Sequence, residues 1–119
     1  MKRAELQCLF FLFPLALIFG GAGVFAKVEQ KSWCVPKPSA DNATLWENLN
    51  FACAEVDCLV LQKDQPCYYP FTMRSHASVA MNIYYQVNGR NNWTCDFKGS
   101  GLTVITDPSF DKCTYLFLA

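Results

Sequence analysis

Of 119 residues only one is a histidine, only 17% are charged, and the charges cancel to a formal net of zero. Each scarcity excludes something. With His76 alone there is no second histidine to complete a metal site, and no cofactor is expected; the ring is read as packing on a helix or hydrogen-bonding locally. The neutral balance gives no long-range pull toward nucleic acid or an anionic membrane. No apolar run reaches the roughly 20 residues that a spanning helix needs. Internal repeats and low-complexity tracts are absent, and no two cysteines are adjacent.

Cysteine is plentiful, with seven in all. Cys8 lies in a segment that reads as a secretory signal peptide: Lys2 and Arg3 start it, Leu9 to Phe19 form a short apolar run, and Val24-Phe25-Ala26 ends it in residues a signal peptidase reads. Cleavage after Ala26 is expected. The secreted form then keeps eight basic and nine acidic side chains, a net charge of −1. Cys34, Cys53, Cys58, Cys67, Cys95 and Cys113 remain for pairing, and spacing alone leaves 15 connectivities open. Asn42-Ala43-Thr44 and Asn92-Trp93-Thr94 are acceptor triplets for N-glycans, and use of either requires its asparagine on the surface. The six residues after Cys113 leave no room for the spacer and tail of a C-terminal lipid anchor. The expectation is a secreted, unanchored monomer.

Residues 27–32 are polar and read as a loose N-terminal arm, and residues 33–119 as one small domain. Pro36 and Pro38 keep the chain extended up to Ser39, Asp41 and Asn42, any of which can cap a helix. Leu45, Leu49, Ala52 and Cys53 recur at helical spacing and predict a helix over about 43–54, with Trp46 beside the stripe. Thr72 caps a second helix over 73–88, free of proline and glycine and stopped at Asn88-Gly89. Its stripe of Ala77, Ala80, Met81 and Tyr84, widened by Val79, Ile83 and Val87, predicts a mostly buried helix. Beyond Gly89 the period changes. Asp96-Phe97, Leu102 to Thr106 and Tyr115 to Leu118 read as strands separated by turns. Helices followed by a small antiparallel sheet make an α+β domain.

Trp33-Cys34-Val35, Phe51-Ala52-Cys53, Asp57-Cys58, Pro66-Cys67-Tyr68, His76-Ala77-Ser78 with Asn82 and Tyr84-Tyr85-Gln86, Cys95-Asp96-Phe97 with Gly99, and Thr106-Asp107-Pro108-Ser109 ending at Cys113 together resemble the plant carbohydrate-binding module of family 43. That domain is appended to plant endo-1,3-beta-glucanases and occurs in plasmodesmal callose-binding proteins. The resemblance runs from Trp33 to Tyr115. It implies two packed helices, a small antiparallel sheet and disulfides joining Cys34 to Cys95, Cys53 to Cys58 and Cys67 to Cys113. It further implies non-catalytic binding of linear 1,3-beta-glucan such as callose in the cell wall or apoplast. The chain departs from the family's usual pattern at Tyr69 and Phe71, where relatives carry polar or acidic residues.

A glucan presents apolar C–H faces and a rim of hydroxyls, so its site needs exposed aromatic faces beside short polar groups. Trp93, inside a sequon and after the helix stop, is either such a platform or a lid folded onto the core, and a glycan on Asn92 would crowd it. Tyr69 and Phe71 are either contacts or a staple against the second helix. Tyr85, off the main stripe, is assigned to contact and Tyr84 to the core. Arg74 offers a planar fork to vicinal hydroxyls, or else is simply solvated. Glycoside hydrolysis needs two carboxylates across a cleft. Glu29, Asp41, Glu47, Glu55, Asp57, Asp64, Asp96, Asp107 and Asp111 contain no recognisable acid and nucleophile pair, so a binder rather than an enzyme is expected. The competing class is a disulfide-rich secreted defence or inhibitor protein that binds no glucan.

Overall fold

The structure, a computed structural model, describes residues 30–119; the expected leader over 1–26 and the first half of the arm lie outside the described residues. Strand β1 spans Trp33–Pro36, helix α1 Asn42–Glu55, helix α2 Met73–Val87 and strand β2 Gly101–Val104. The strands form a two-stranded antiparallel sheet in which Trp33 faces Val104 and Pro36 faces Gly101. With two helices and three disulfides this is a small disulfide-rich α+β domain.

Capping sets where both helices begin. Asp41 Oδ1 accepts from the Thr44 N–H at 2.9 Å and Thr72 Oγ1 from the Ser75 N–H at 3.2 Å, each satisfying a first-turn donor that has no partner in its own helix. The Thr44 N–H, as the largest cause, holds the Asp41 carboxyl below its ordinary pKa.

Helix α2 is the spine. One apolar cluster joins its Ala77, Met81 and Tyr85 to Leu45 of α1 and to Cys34 and Cys95; a second joins Val79, Ala80 and Ile83 to Trp33, Ala52, Leu61, Cys67, Cys113 and Tyr115. The buried face of α2 also carries polar groups with partners elsewhere in the chain. Asn82 Oδ1 accepts from the Cys34 N–H at 3.1 Å while its Nδ2 donates to Leu116 O at 2.9 Å. Gln86 Nε2 donates to Ser32 O at 2.9 Å and its Oε1 accepts from the Leu118 N–H at 3.1 Å. The Tyr115 hydroxyl donates to Ser78 Oγ at 2.8 Å, and burial, partly offset by that bond, raises its pKa. One helix thus fastens β1 on one side and the C-terminal tail on the other.

The disulfides join Cys34 to Cys95, Cys53 to Cys58 and Cys67 to Cys113, the pairing the family resemblance implies. Cys53–Cys58 ties the last turns of α1 to the chain just beyond Glu55 and pins the bend there.

Three sequence expectations are corrected. Asp96-Phe97 is not a strand but the start of a tight turn, since Phe97, Lys98 and Gly99 take φ of 44°, 55° and 84°. Tyr115 to Leu118 forms no strand, because the polar side chains of α2 take up its backbone groups; the local pairing is a bridge between Phe110 and Cys113. The extended stretch at Trp33–Pro36, read only as a proline-stiffened lead-in, is the partner strand of β2. Gly101 permits that pairing, for a Cβ there would stand 1.7 Å from Cys95 O.

Candidate functional site

Two turns of α1 give the site its floor and one wall. Leu45, Asn48 and Ala52 point inward and are buried, which turns Trp46, Glu47, Asn50 and Phe51 to the opposite face as i, i+4 neighbours. Phe51 packs edge-on against Tyr84 of α2, ring centroids 5.2 Å apart, and Phe97 closes the group at 6.3 Å from Phe51 and 5.7 Å from Tyr84. These three rings floor a surface groove of about 570 Å³ whose sides carry Trp46 and Trp93. The two indoles are not core residues: Trp46 is 55% and Trp93 75% exposed.

The second wall is held by the turns after α2. Cys95 is anchored to Cys34, and Thr94 is buried with its Oγ1 donating to Asn91 O at 2.6 Å. Trp93, one residue earlier in the same 3-10 turn, is left facing outward. In the next turn Asp96 Oδ2 accepts from the Gly99 N–H at 3.2 Å and Asp96 O accepts from the Gly101 N–H at 3.0 Å. A left-handed backbone is uncommon for a bulky side chain. This double cap holds Phe97 there, and with it the ring that completes the floor.

Polar groups rim the aromatics: Asn48, Asn50, Glu47, Asp96, Thr94 and Lys98 all line the groove. Asn48 is anchored, its Nδ2 donating to Ser100 Oγ at 2.8 Å. Glu47 and Asp96 are thus two carboxylates on one groove, a proximity the sequence does not disclose, although Asp96 is engaged in capping its turn. Among the described residues no group of three or more histidine, cysteine, aspartate or glutamate side chains is placed to hold a metal ion.

Of the residues singled out from the sequence, Trp93 is in the groove and open to solvent. Tyr85 is a correction. It is 2% exposed, packed against Cys34, Leu45 and Met81, with its hydroxyl 2.8 Å from Ser32 Oγ, so it cannot offer a ring to a polysaccharide. Tyr84, expected in the core, is the half-buried neighbour that reaches the groove.

Arg74 is exposed but its guanidinium is committed to the chain itself, donating to Ala40 O at 2.7 Å and to Lys37 O at 3.2 Å. It braces the lead-in to α1 rather than entering the groove. Phe71, immediately before the Thr72 cap, packs its ring 5.4 Å from that of His76 and stacks on Tyr68 at 5.1 Å, the geometry of a hydrophobic staple, while remaining 69% exposed. His76 is buried and its Nε2 lies 2.7 Å from Tyr68 O. Tyr69, 73% exposed, borders a separate depression with Pro70, Ser75, Phe110 and Asp111 that shares no residue with the groove. Asn42 and Asn92 are both exposed.

Sequence reasoning passed over Trp46, Phe51, Tyr84 and Phe97. A signal for the first two existed. Trp46 with Asn50, and Glu47 with Phe51, are i, i+4 pairs on the face of α1 opposite its apolar stripe, where large aromatics have no structural reason to be.

Comparison with known proteins gives the arrangement a lineage. The X8 domain family matches residues 32–102. The chain is 44% identical over 88 residues to "Major pollen allergen Ole e 10" of Olea europaea, covering 72% of each chain. It is 44% identical over 84 residues to a "Glucan endo-1,3-beta-glucosidase" of Triticum aestivum and 41% identical over 106 residues to "Glucan endo-1,3-beta-glucosidase 4" of Arabidopsis thaliana. It spans only 18% and 21% of those two glucosidases, against 71% and 87% of itself. The match, the framework of three disulfides and the α+β architecture agree: the chain belongs to the X8 domain family, the family 43 carbohydrate-binding modules that its sequence resembles.

Proposed function

We propose that the secreted protein binds linear 1,3-beta-glucan, callose being the form met in plant cell walls, and does so without hydrolysing it. The observation that carries this reading is the groove itself. Phe51, Tyr84 and Phe97 supply an apolar floor, Trp46 and Trp93 stand as exposed plates beside it, and amide, hydroxyl and charged groups follow its rim. Sugar rings need that combination: C–H faces stack on aromatic faces while hydroxyls find short polar partners. Kinship with segments of proteins named for endo-1,3-beta-glucan cleavage supports the choice of polymer. Tyr69 serves as an outlying contact for a chain long enough to leave the groove.

The reading as a binder rather than a hydrolase is supported by how the two groove carboxylates sit. Both Glu47 and Asp96 are exposed, and Asp96 is engaged as a turn cap. A glycosidase acid needs a site that raises its pKa and holds it across the scissile bond from its partner. Three disulfides and the acceptor triplets suit an oxidising, extracellular setting, and no helix among the described residues is long and apolar enough to cross a membrane.

The test is affinity electrophoresis of the secreted chain through gels containing laminarin, a soluble 1,3-beta-glucan, beside a sugar-release assay on the same preparation. Retardation with release at background is expected. Unretarded migration would remove the glucan reading, and sugar release that co-purifies with the chain and is lost in Glu47→Gln would make it an enzyme.

A further inference from the structure

The two acceptor triplets flank the groove, and their positions are not interchangeable. Asn92 directly precedes Trp93 and Thr94, both of which line the groove, and all three belong to the 3-10 turn Asn92–Cys95. Asn42 is the first residue of α1, one helical turn before Trp46 on the same face. Both asparagines are exposed. An oligosaccharide attached to either is bulky and solvated, and has to share its space with whatever occupies the groove. Position 92 is the nearer of the two, in sequence, to a groove residue. Asn92 and Trp93 are sequence neighbours in a turn fixed by Cys34–Cys95 and by the bond from Thr94 Oγ1 to Asn91 O.

We propose that Asn92 is an N-glycan acceptor whose glycan lies across the Trp93 side of the groove and lowers glucan affinity, so that its occupancy sets how much of the secreted protein binds. This rests on the groove being the glucan site. In the attachment step the Asn92 Nδ2 bonds to the anomeric carbon of a lipid-diphosphate-linked oligosaccharide. The bond from that carbon to the diphosphate oxygen breaks, the lipid diphosphate departs, and Nδ2 gives up one proton. The Thr94 hydroxyl, which an acceptor triplet requires, is buried and engaged in the folded turn. Attachment therefore precedes folding, as the chain enters the secretory route. A glycan built of pyranose rings has the same C–H faces that Trp93 offers to stack on, which favours its lying along the indole rather than away from it.

The experiment uses the chain secreted from a eukaryotic host in an Asn42→Gln background, so that one acceptor remains, with and without Asn92→Gln. Intact mass gives occupancy, and affinity electrophoresis on laminarin gives binding. Acrylamide quenching of tryptophan fluorescence in a further Trp46→Phe version reports Trp93 alone, because the third tryptophan, Trp33, is only 4% exposed. The expected result is a glycan mass at Asn92, stronger quenching once the glycan is absent, and laminarin binding roughly tenfold tighter without it, the size of one aromatic contact regained. Enzymatic removal of the glycan from the folded protein repeats the comparison with no risk from altered folding. An unmodified Asn92, equal quenching, or equal laminarin affinity with and without the glycan would each overturn the proposal. Quenching that differs while neither form binds laminarin separates the two failures: the glycan then covers Trp93, but the glucan reading is wrong and with it the control of binding.

Discussion

At position 93 the chain exposes three-quarters of an indole that nothing in its own fold requires. Replacing it therefore tests function without testing stability. Trp93→Ala and Trp46→Ala are each expected to weaken laminarin binding by about 1 to 3 kcal/mol, the range in which a contact aromatic ranks as a hot spot. Their melting temperatures should stay near that of the parent. Tyr85→Ala, with its ring packed among Cys34, Leu45 and Met81, should destabilise the fold by roughly 3 to 5 kcal/mol, as large-to-small core changes do. Titration calorimetry and thermal melts on the same three variants check this, and a Trp93→Ala that melts early while binding normally would make Trp93 a lid. The contrast between Tyr84 and Tyr85 also shows what residue patterns can hide. A stripe drawn through apolar residues alone is rotated toward Tyr84. The buried face of α2 also includes His76, bonded to nearby Tyr68, and Ser78, Asn82 and Gln86, polar side chains whose partners come from distant parts of the chain. No local periodicity carries that information.

Helices were legible as elements because their signals are local: Asp41 and Thr72 as caps, apolar residues at helical spacing, and Asn88-Gly89 as a stop. The strand at Leu102 was legible too, although it ends at Val104, but its partner at Trp33–Pro36 was not, because pairing depends on residues far apart. The expected strand at Asp96-Phe97 failed because Phe97 and Lys98 adopt a backbone that their side chains do not favour. Caps also set how the elements respond to change. Thr72→Ala should cost about 1 kcal/mol, the usual loss of a threonine cap, measured by urea denaturation. Acid acts on α1 through Asp41, whose carboxyl is held below its ordinary value by the Thr44 N–H. A lowered folded-state pKa means that the cap's contribution is present above the ordinary carboxylate range and is lost as pH falls through the folded value. Asp107, lowered mainly by the Ser109 hydroxyl, follows the same sign. The acid limb of the stability curve should therefore be shallower in Asp41→Asn than in the parent, and identical limbs in denaturation from pH 6 to pH 2 would remove Asp41 from the account.

For the molecule entire, crosslinks decide how the groove is held open. The bond Cys34–Cys95 ties β1 to the turn that carries Trp93, across 61 residues of sequence, while Cys67–Cys113 closes 46 and Cys53–Cys58 only 5. If the loss of unfolded-chain entropy governs, the two long loops are each worth about 4 kcal/mol and the short one about 2. A domain this small has a net stability of only about 5 to 15 kcal/mol, so either long bridge is a large part of it. The functional consequences differ from the energetic ones. Replacing Cys34 and Cys95 together by alanine frees the wall on which Trp93 stands. Replacing Cys67 and Cys113 frees the loop before α2 and the C-terminal segment, neither of which lines the groove. The two double variants should then lose comparable stability in urea, and both more than Cys53→Ala with Cys58→Ala. At temperatures where each is still folded, only the Cys34 and Cys95 variant should lose laminarin affinity. If the Cys67 and Cys113 variant lost it equally, the glucan surface would have to include the aromatic loop around Tyr69, and the groove alone would no longer suffice.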